Sequence, residues 1–565
     1  MFSLKGTIKS NCVANSEYIC TNNYFTDGIL EIEFTSKSKF SNDNLFFVKD
    51  DFLFVLNGVI TNSNELKEKY EKNNWEDVFY DRFINNKKTF LNELRGVFSG
   101  MVYDIHANEL RLFVDQFRTI DIFYRIDEHD IISFNTSLSE LALLNQNELD
   151  IDAAYLLLTY GGTLEYNTLF KGIKKVEYGN QLIINRNLEV SNLKYFEFAI
   201  DYNNNKIKER SEYIEDIDCF FRQAINRQFI KDVEYNSNHL VGLSAGRDSR
   251  MTTWVANKIG YKNVLNYTFS ESSQLDEFIP KEIARELQNE WIFVALDNGI
   301  SFENFEEINK SVCGEICLQT VLHGNAFLKN FNFSNYGLIH TGQLGDVVIG
   351  SFGKKQDVKS DIPVSYVYSR KLLDKVKARK IIDLTSFRNE EEFNFINRGI
   401  GVTLRSTLFT NRFSFSLSPF MDIDFIEYCI SIPYSVREGN SLYDEWMLFK
   451  YKDSCKYSHN GRRIGSKEYT FFGKKTSLLE LPSKIKSLIE RKLNIVDIKS
   501  GMNPMDYWYQ KNYRLRDKID NFYNDNIDKI ENKELRSDVE LLFTTGNTGD
   551  KMLVISLLAT VKQFI

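Results

Sequence analysis

HLVGLSAGRDSRMTTWVA, residues 239–256, reads as three pieces in succession: an apolar strand, a loop of small residues, and an apolar helix. A loop between a buried strand and a helix points successive backbone N–H groups, and the positive end of the helix dipole, at one spot where an anion can sit. Small residues at 244–246 let the backbone approach a phosphate closely. The Ser244 and Ser249 hydroxyls can donate to phosphate oxygens, and Asp248 supplies a hard oxygen suited to Mg²⁺. The pattern is that of a pyrophosphate cradle built from Ser244, Gly246, Asp248 and Ser249. The competing reading is a tight turn capped by a serine.

Further along the chain, apolar runs (NVLNYTF, 263–269; EWIFVAL, 290–296; YGLIHTG, 336–342) alternate with amphipathic stretches such as DEFIPKEIARELQ, 276–288. That alternation predicts a doubly wound α/β domain with a parallel sheet. Ahead of it, residues 2–193 are a succession of short β-rich runs such as 52–60, 98–103 and 109–114, with Asn57-Gly58 among the turn signals. IKERSEYIEDIDCFFRQAINRQF, 207–229, changes to helical spacing, with Tyr213, Ile214, Ile217, Phe220, Phe221 and Ala224 near one face. The tail from about residue 483 reads as helices packed on the second domain. The expected division is residues 1–195 and 196–565.

The 565 residues are too many for one ordinary core, and 43% apolar with 26% charged residues is ordinary globular composition. A net charge of −8 without a basic block argues against nucleic acid as a partner. Seven cysteines (Cys12, Cys20, Cys219, Cys313, Cys317, Cys429, Cys455), without paired CxxC spacing, read as reduced thiols. Cys313 and Cys317 could share a helix face, but no second pair completes a zinc set. No segment is apolar enough to span a bilayer or to act as a signal peptide, so a cytoplasmic protein without membrane contact is expected.

The loop Ser244-Ala245-Gly246-Arg247-Asp248-Ser249 resembles the S-G-G-x-D-S loop of the asparagine synthase family, with alanine at the first glycine. The resemblance continues through LNGVITNSNEL (56–66), RGVFSGMVYD (95–104), LRLFVDQFRTIDIFY (110–124), FNTSLSEL (134–141) and TLFKGIKKVEYGNQL (168–182). In the second half NYTFSESSQLDE (266–277), HTGQLGDVVIG (340–350) and SPFMDIDFIEYCISIP (418–433) carry it. The resemblance implies an α+β N-terminal-nucleophile (Ntn)-like sandwich followed by an α/β adenine-nucleotide α-hydrolase-like domain, the PP-loop ATP pyrophosphatase fold. It implies ATP and Mg²⁺ as cofactors, with Asp248 and Asp346 as metal ligands. Leu243, Thr268 and Phe269 become the adenine-side wall, and Gly342 joins the ATP-binding set. Lys467 takes the role of the lysine that steadies charge on an acyl-adenylate, with Lys474 and Lys475 as competing assignments.

Three departures bear on the chemistry. Glutamine-dependent members attack glutamine with a terminal cysteine thiolate, whereas Phe2 follows Met1 here and Cys12 lies far along. Val59 stands where glutaminases carry a glutamate. The first domain is therefore expected to have lost glutamine hydrolysis, leaving Asn57-Gly58 as a tight turn. In the segment resembling S-G-E-G-x-D-E, Thr341-Gly342-Gln343-Leu344-Gly345-Asp346-Val347 has glutamine for the acid. Gln343 can orient a nucleophile but cannot take its proton.

The expected activity is an AMP- and pyrophosphate-forming ligase that adenylates a small-molecule or peptide carboxylate and joins it to ammonia or an amine. The carboxylate could belong to a glycan, or the amine could be intramolecular, as in the family's β-lactam synthetases and lasso-peptide cyclases. A homodimer and a separate ammonia-supplying subunit are both compatible partners. A non-catalytic nucleotide-binding scaffold is the alternative, favoured by Ala245, Gln343 and Val347.

Overall fold

The structure, a computed structural model, describes residues 3–9, 18–37, 39–127, 131–200, 208–352, 363–458, 464–465, 469–471, 474–476, 499 and 501–565. The first third forms two antiparallel sheets packed face to face, one of seven strands and one of six. Leu4, Ile8, Leu30 and Ile32 of one sheet meet Leu53, Val55, Met101 and Leu112 of the other in a shared apolar layer. The strand Leu30–Thr35 alternates strictly between buried and exposed positions, so the outer face of its sheet is polar. The outer face of the six-stranded sheet is apolar instead. Helices Ser63–Lys69 and Trp75–Asn85 cover it through Leu66, Trp75, Val78, Phe79 and Phe83.

Asn57 and Gly58 form no turn, which corrects the sequence reading. Both lie inside the nine-residue strand Phe52–Ile60, paired antiparallel with Gly96–Asp104. Gly58 has φ +146°, and a Cβ there would collide with the Val97 carbonyl and come within 2.8 Å of Phe98 Cα. The glycine is set by a close backbone approach, not by chain reversal. Val59 is fully buried with Phe40, Ile120, Leu338 and Leu417, an apolar contact joining the sandwich to the second half.

That second half is built on a parallel sheet of five strands in the spatial order Glu290–Ala295, Val264–Ser270, Asn238–Gly242, Tyr336–His340, Ser416–Leu417. Both faces are covered, as the near-continuous apolar strands require. Val241 faces the helices Arg210–Glu234 and Arg247–Lys258 through Ile217, Phe221, Met251 and Val255. Leu240 and Ile339 face the helices Gln319–Leu328 and Thr548–Phe564 through Val321, Leu322, Leu553 and Leu557. Of the tail expected to be helical from about residue 483, residues 483–498 lie outside the described residues, and the remainder forms helices at Met505–Lys511, Tyr513–Asn526, Lys533–Thr545 and Thr548–Phe564. Cys313 and Cys317 are both buried apolar-core residues.

Beneath the central strands a carboxylate ties three elements together. Asp232 Oδ2 bonds His239 Nδ1 at 2.8 Å and His340 Nε2 at 2.7 Å, while Oδ1 accepts the Leu338 N–H at 2.7 Å. These ligand-type atoms lie within 4.8 Å of one another, but the separations are those of charge-assisted hydrogen bonds. Burial alone would raise the Asp232 carboxyl; the two imidazoles outweigh it and hold it below its ordinary value. Burial pushes His340 down.

No helix among the described residues is long and apolar enough to cross a membrane.

Candidate active site

The strand order reverses direction between Asn238–Gly242 and Tyr336–His340, which are neighbours in the sheet but distant in the chain. Connections from adjacent strands diverge at such a point and leave a crevice at the carboxyl ends of the strands. The loops after the two strands, 243–246 and 341–344, meet there. They are in intimate contact: a Cβ on Gly342 would sit 2.5 Å from the Asp248 carbonyl carbon, and one on Gly345 would sit 2.6 Å from Asp248 Oδ1. Ser244, Gly246, Arg247, Asp248, Ser249, Gly342, Gln343 and Asp346 line a cavity of about 290 Å³. Seven of these eight were singled out from the sequence.

Within the first loop, the N–H groups are largely committed. Ser244 N–H donates to Ser249 Oγ at 3.0 Å, Gly246 N–H to Ser244 Oγ at 3.1 Å, and Ala245 N–H to Asp276 Oδ1 at 2.8 Å. The two hydroxyls bond each other at 2.9 Å, which uses one of their two protons and leaves the other. The helix Arg247–Lys258 follows Gly246 without any side-chain cap, so the first-turn N–H groups of Arg247, Asp248 and Ser249 remain as donors toward an anion. Ala245 is not among the residues with positive φ, so alanine in place of the family's glycine strains nothing.

Asp248 sits at the centre. Its Oδ2 accepts the Asp346 N–H at 3.3 Å, while Oδ1 is buried without a hydrogen-bond partner. Burial, then the nearby Asp346 charge, pushes its carboxyl up to about 7. An orphaned buried carboxylate oxygen beside a second carboxylate on the same cavity is a fit donor set for a hard divalent cation. The Tyr443 hydroxyl, buried beside Asp248, falls short of hydrogen-bond geometry, and its burial raises it well above its ordinary value.

Three of the expected residues, Leu243, Thr268 and Phe269, are not among those lining the cavity. Leu243 and Thr268 are buried, and the Thr268 hydroxyl donates to the Leu243 carbonyl at 2.7 Å while accepting from Trp291 Nε1 at 3.0 Å. Phe269 is half-buried, its ring 5.3 Å from that of His323. Lys467 lies outside the described residues, and Lys474 and Lys475 belong to the short strand Lys474–Thr476. Gln343 has a defined setting: its Nε2 donates to Ser406 Oγ at 2.8 Å and to the Thr403 carbonyl at 3.3 Å. Thr403 ends a nine-residue π-helix, Phe395–Thr403, a geometry that recurs at functional sites.

Sequence reasoning missed Arg250. It is fully buried and donates to the carbonyls of Ala245 at 2.9 Å, Ser454 at 3.0 Å, Tyr457 at 2.9 Å and Ser458 at 2.9 Å. Its signal was an arginine on the stripe that Met251, Trp254 and Val255 mark as apolar.

A double-sheet sandwich joined to a doubly wound α/β unit with a cavity at its switch point defines the architecture. Residues 36–196 match the glutamine amidotransferase domain family, which supports an Ntn-like domain in the sandwich. Asparagine synthetase [glutamine-hydrolyzing] 1 of Bacillus subtilis (strain 168) is 22% identical over 250 residues, 43% of this chain and 38% of that protein. The match thus spans well under two thirds of the relative's length. Together these matches support an asparagine synthase family chain with an N-terminal glutamine amidotransferase-like domain. Among solved structures, the allosteric regulatory enzyme of purine biosynthesis is 9% identical, covering 52% of this chain and 74% of its own, with a TM-score of 0.24. The glutamine phosphoribosylpyrophosphate amidotransferase from B. subtilis is 11% identical, covering 73% and 90%, with a TM-score of 0.25.

Proposed function

We propose that this chain is an ATP-dependent amide-bond ligase of the asparagine synthase type, cleaving ATP to AMP and pyrophosphate to activate a carboxylate for attack by ammonia or an amine. The observation that carries the reading is the convergence of Asp248, Asp346 and the uncapped start of helix Arg247–Lys258 on one cavity at the switch point of the parallel sheet. In this reading residues 196–565 form the PP-loop pyrophosphatase unit and residues 1–195 the amidotransferase-like unit. Asp248 and Asp346 would hold Mg²⁺, which offsets phosphate charge as the bond between α- and β-phosphates breaks. The chain's own share is positional: first-turn N–H groups and the spare serine hydroxyl proton hold the departing pyrophosphate, and Gln343 orients the nucleophile.

Glutamine hydrolysis is not part of the proposal. The position where a glutaminase would need a carboxylate for the substrate ammonium is Val59, fully buried among Phe40, Ile120 and Leu417. An ammonium there would lose its hydration without compensation. Ammonia would then come from solution or a separate subunit, or the amine would belong to the substrate itself. A cytoplasmic setting follows from this use of ATP.

The experiment is ATP–pyrophosphate exchange across a panel of carboxylates, sugar acids and peptides included. Exchange with one of them, lost on Asp346→Asn, supports the ligase. Tight ATP binding with no exchange and no AMP release in any pairing would favour the scaffold instead.

A further inference from the structure

We propose that Arg247, at the variable position of the SxGxDS loop, is a phosphate-binding residue that selects for the pyrophosphate end of the nucleotide. The inference rests on the nucleotide reading above and deepens it. Arg247 lines the same cavity as Asp248, Ser249 and Asp346. Its side chain is only 11% exposed. Nη1 donates to Asp444 Oδ1 at 2.7 Å, whereas Nε is buried with no partner. The guanidinium carbon lies 5.0 Å from the centre of the Tyr443 ring, a cation–π contact that fixes the plane of the fork.

A guanidinium offers five N–H donors in a fixed fork, matched to two oxygens of a phosphate. Asp444 engages one of them, so the group is held in place but not saturated. Leaving a buried charged donor unpaired is costly, and a bound phosphate oxygen would remove that cost. Charge gives the same answer. The cavity carries two carboxylates, and a pyrophosphate would bring more negative charge into it. Arg247 is the one cation lining it among the described residues. Its own backbone N–H also opens the helix, so main chain and side chain of one residue converge on the anion. AMP, once pyrophosphate has left, has no phosphate at this position, and Arg247 should not affect its binding.

Calorimetric titration of the full chain with Mg²⁺-pyrophosphate and separately with AMP tests this. Arg247→Met keeps the stem on Tyr443, so it should weaken Mg²⁺-pyrophosphate at least about tenfold while leaving AMP within about twofold, the loss expected of a charge-assisted fork. Asp444→Asn removes the competing carboxylate and should tighten Mg²⁺-pyrophosphate, a gain that misfolding cannot imitate. The inference is overturned if Arg247→Met binds Mg²⁺-pyrophosphate as the parent does, or if Asp444→Asn weakens it as much as Arg247→Met. A parent chain that binds neither Mg²⁺-pyrophosphate nor ATP refutes the nucleotide reading itself, which is a different result.

Discussion

The backbone N–H of Asp346 donates to Asp248 Oδ2 at 3.3 Å, joining residues 98 positions apart. The contact exists because Gly342 and Gly345 lack side chains where the second loop crosses the first. It holds one carboxylate oxygen of Asp248 and leaves the other buried and unpartnered. Two acids are thus brought together in a ligand-free protein that gains no stability from their charge.

Asp248 makes this testable through pH. Its carboxyl is pushed up to about 7 from an ordinary 3.8, so between those values the folded state binds a proton that the unfolded state has released. Stability of the ligand-free chain should therefore fall as pH rises across that window, then level off above it. Asp248→Asn should raise the Tm of the ligand-free protein at pH 8 by a few degrees while abolishing pyrophosphate release. Because a metal must displace the same proton, affinity for Mg²⁺-pyrophosphate should drop about tenfold per pH unit below 7. Calorimetric scans and titrations over roughly pH 5.5 to 8.5 read both effects. A Tm lowered at pH 8 by Asp248→Asn counts against the assignment.

Arg250 should be a positioning residue for the loop. Four carbonyls depend on its fork, one in the loop 243–246 and three in residues 454–458. Lysine keeps the charge but cannot span them, so Arg250→Lys should destabilise by about 3 kcal/mol or more, since each buried acceptor left unpaired costs about 1–3 kcal/mol. Urea unfolding measures the loss. A midpoint equal to the parent's would mean the fork is dispensable.

The strand–loop–helix at 239–256 was legible because small residues between two apolar periodic runs leave little choice of local structure. The alternation of strands and helices also carried the parallel sheet, and through it the meeting of Asp248 with Asp346. Asn57-Gly58 was misread because the same dipeptide that favours a tight turn also permits a close approach between strands, and only Val97 on the partner strand distinguishes them. Leu344, buried with φ +71°, gave no signal at all. Nor did the partners of Arg250 and Gln343, which come from segments far along the chain. Local pattern fixes elements, while the identity of a long-range hydrogen-bond partner depends on packing that no window of sequence contains.

Asp232 should prove a stability residue, not a metal ligand. Asp232→Asn leaves two imidazoles and the Leu338 N–H competing for a neutral amide, and losing a hydrogen bond to a charged group costs about 1.5–3 kcal/mol. The pH response of the parent follows from His340, which burial holds below its ordinary 6.5. The unfolded state binds the proton that folded His340 refuses, so stability is lost as pH falls below 6.5. Chemical denaturation with and without a chelator checks the distinction. A midpoint that falls on chelation would reassign the triad as a metal site.

Gln343 offers the sharpest separation of the two half-reactions of the proposed ligase. Its amide donates to Ser406 Oγ and to the Thr403 carbonyl, and Ser406 Oγ donates to that same carbonyl at 3.2 Å. A glutamate at 343 would set a carboxylate oxygen against the Thr403 carbonyl, two acceptors face to face. The Ser406 hydroxyl could turn to meet it only by abandoning Thr403. Restoring the family's acid should therefore not restore a useful base, and Gln343→Glu should lower stability by about 1–3 kcal/mol, the cost of one buried group left unpaired. Gln343→Ala removes the orienting amide but leaves Asp248, Asp346 and the helix start untouched. ATP–pyrophosphate exchange should stay within about threefold of the parent, while amide formation should slow at least about tenfold because the interaction acts only in the second step. Following exchange and product by separate assays on the same variant distinguishes the steps. Equal losses in both would move Gln343 from nucleophile positioning to the nucleotide site, and a faster ligation by Gln343→Glu would show that the missing acid, not its surroundings, limits this chain.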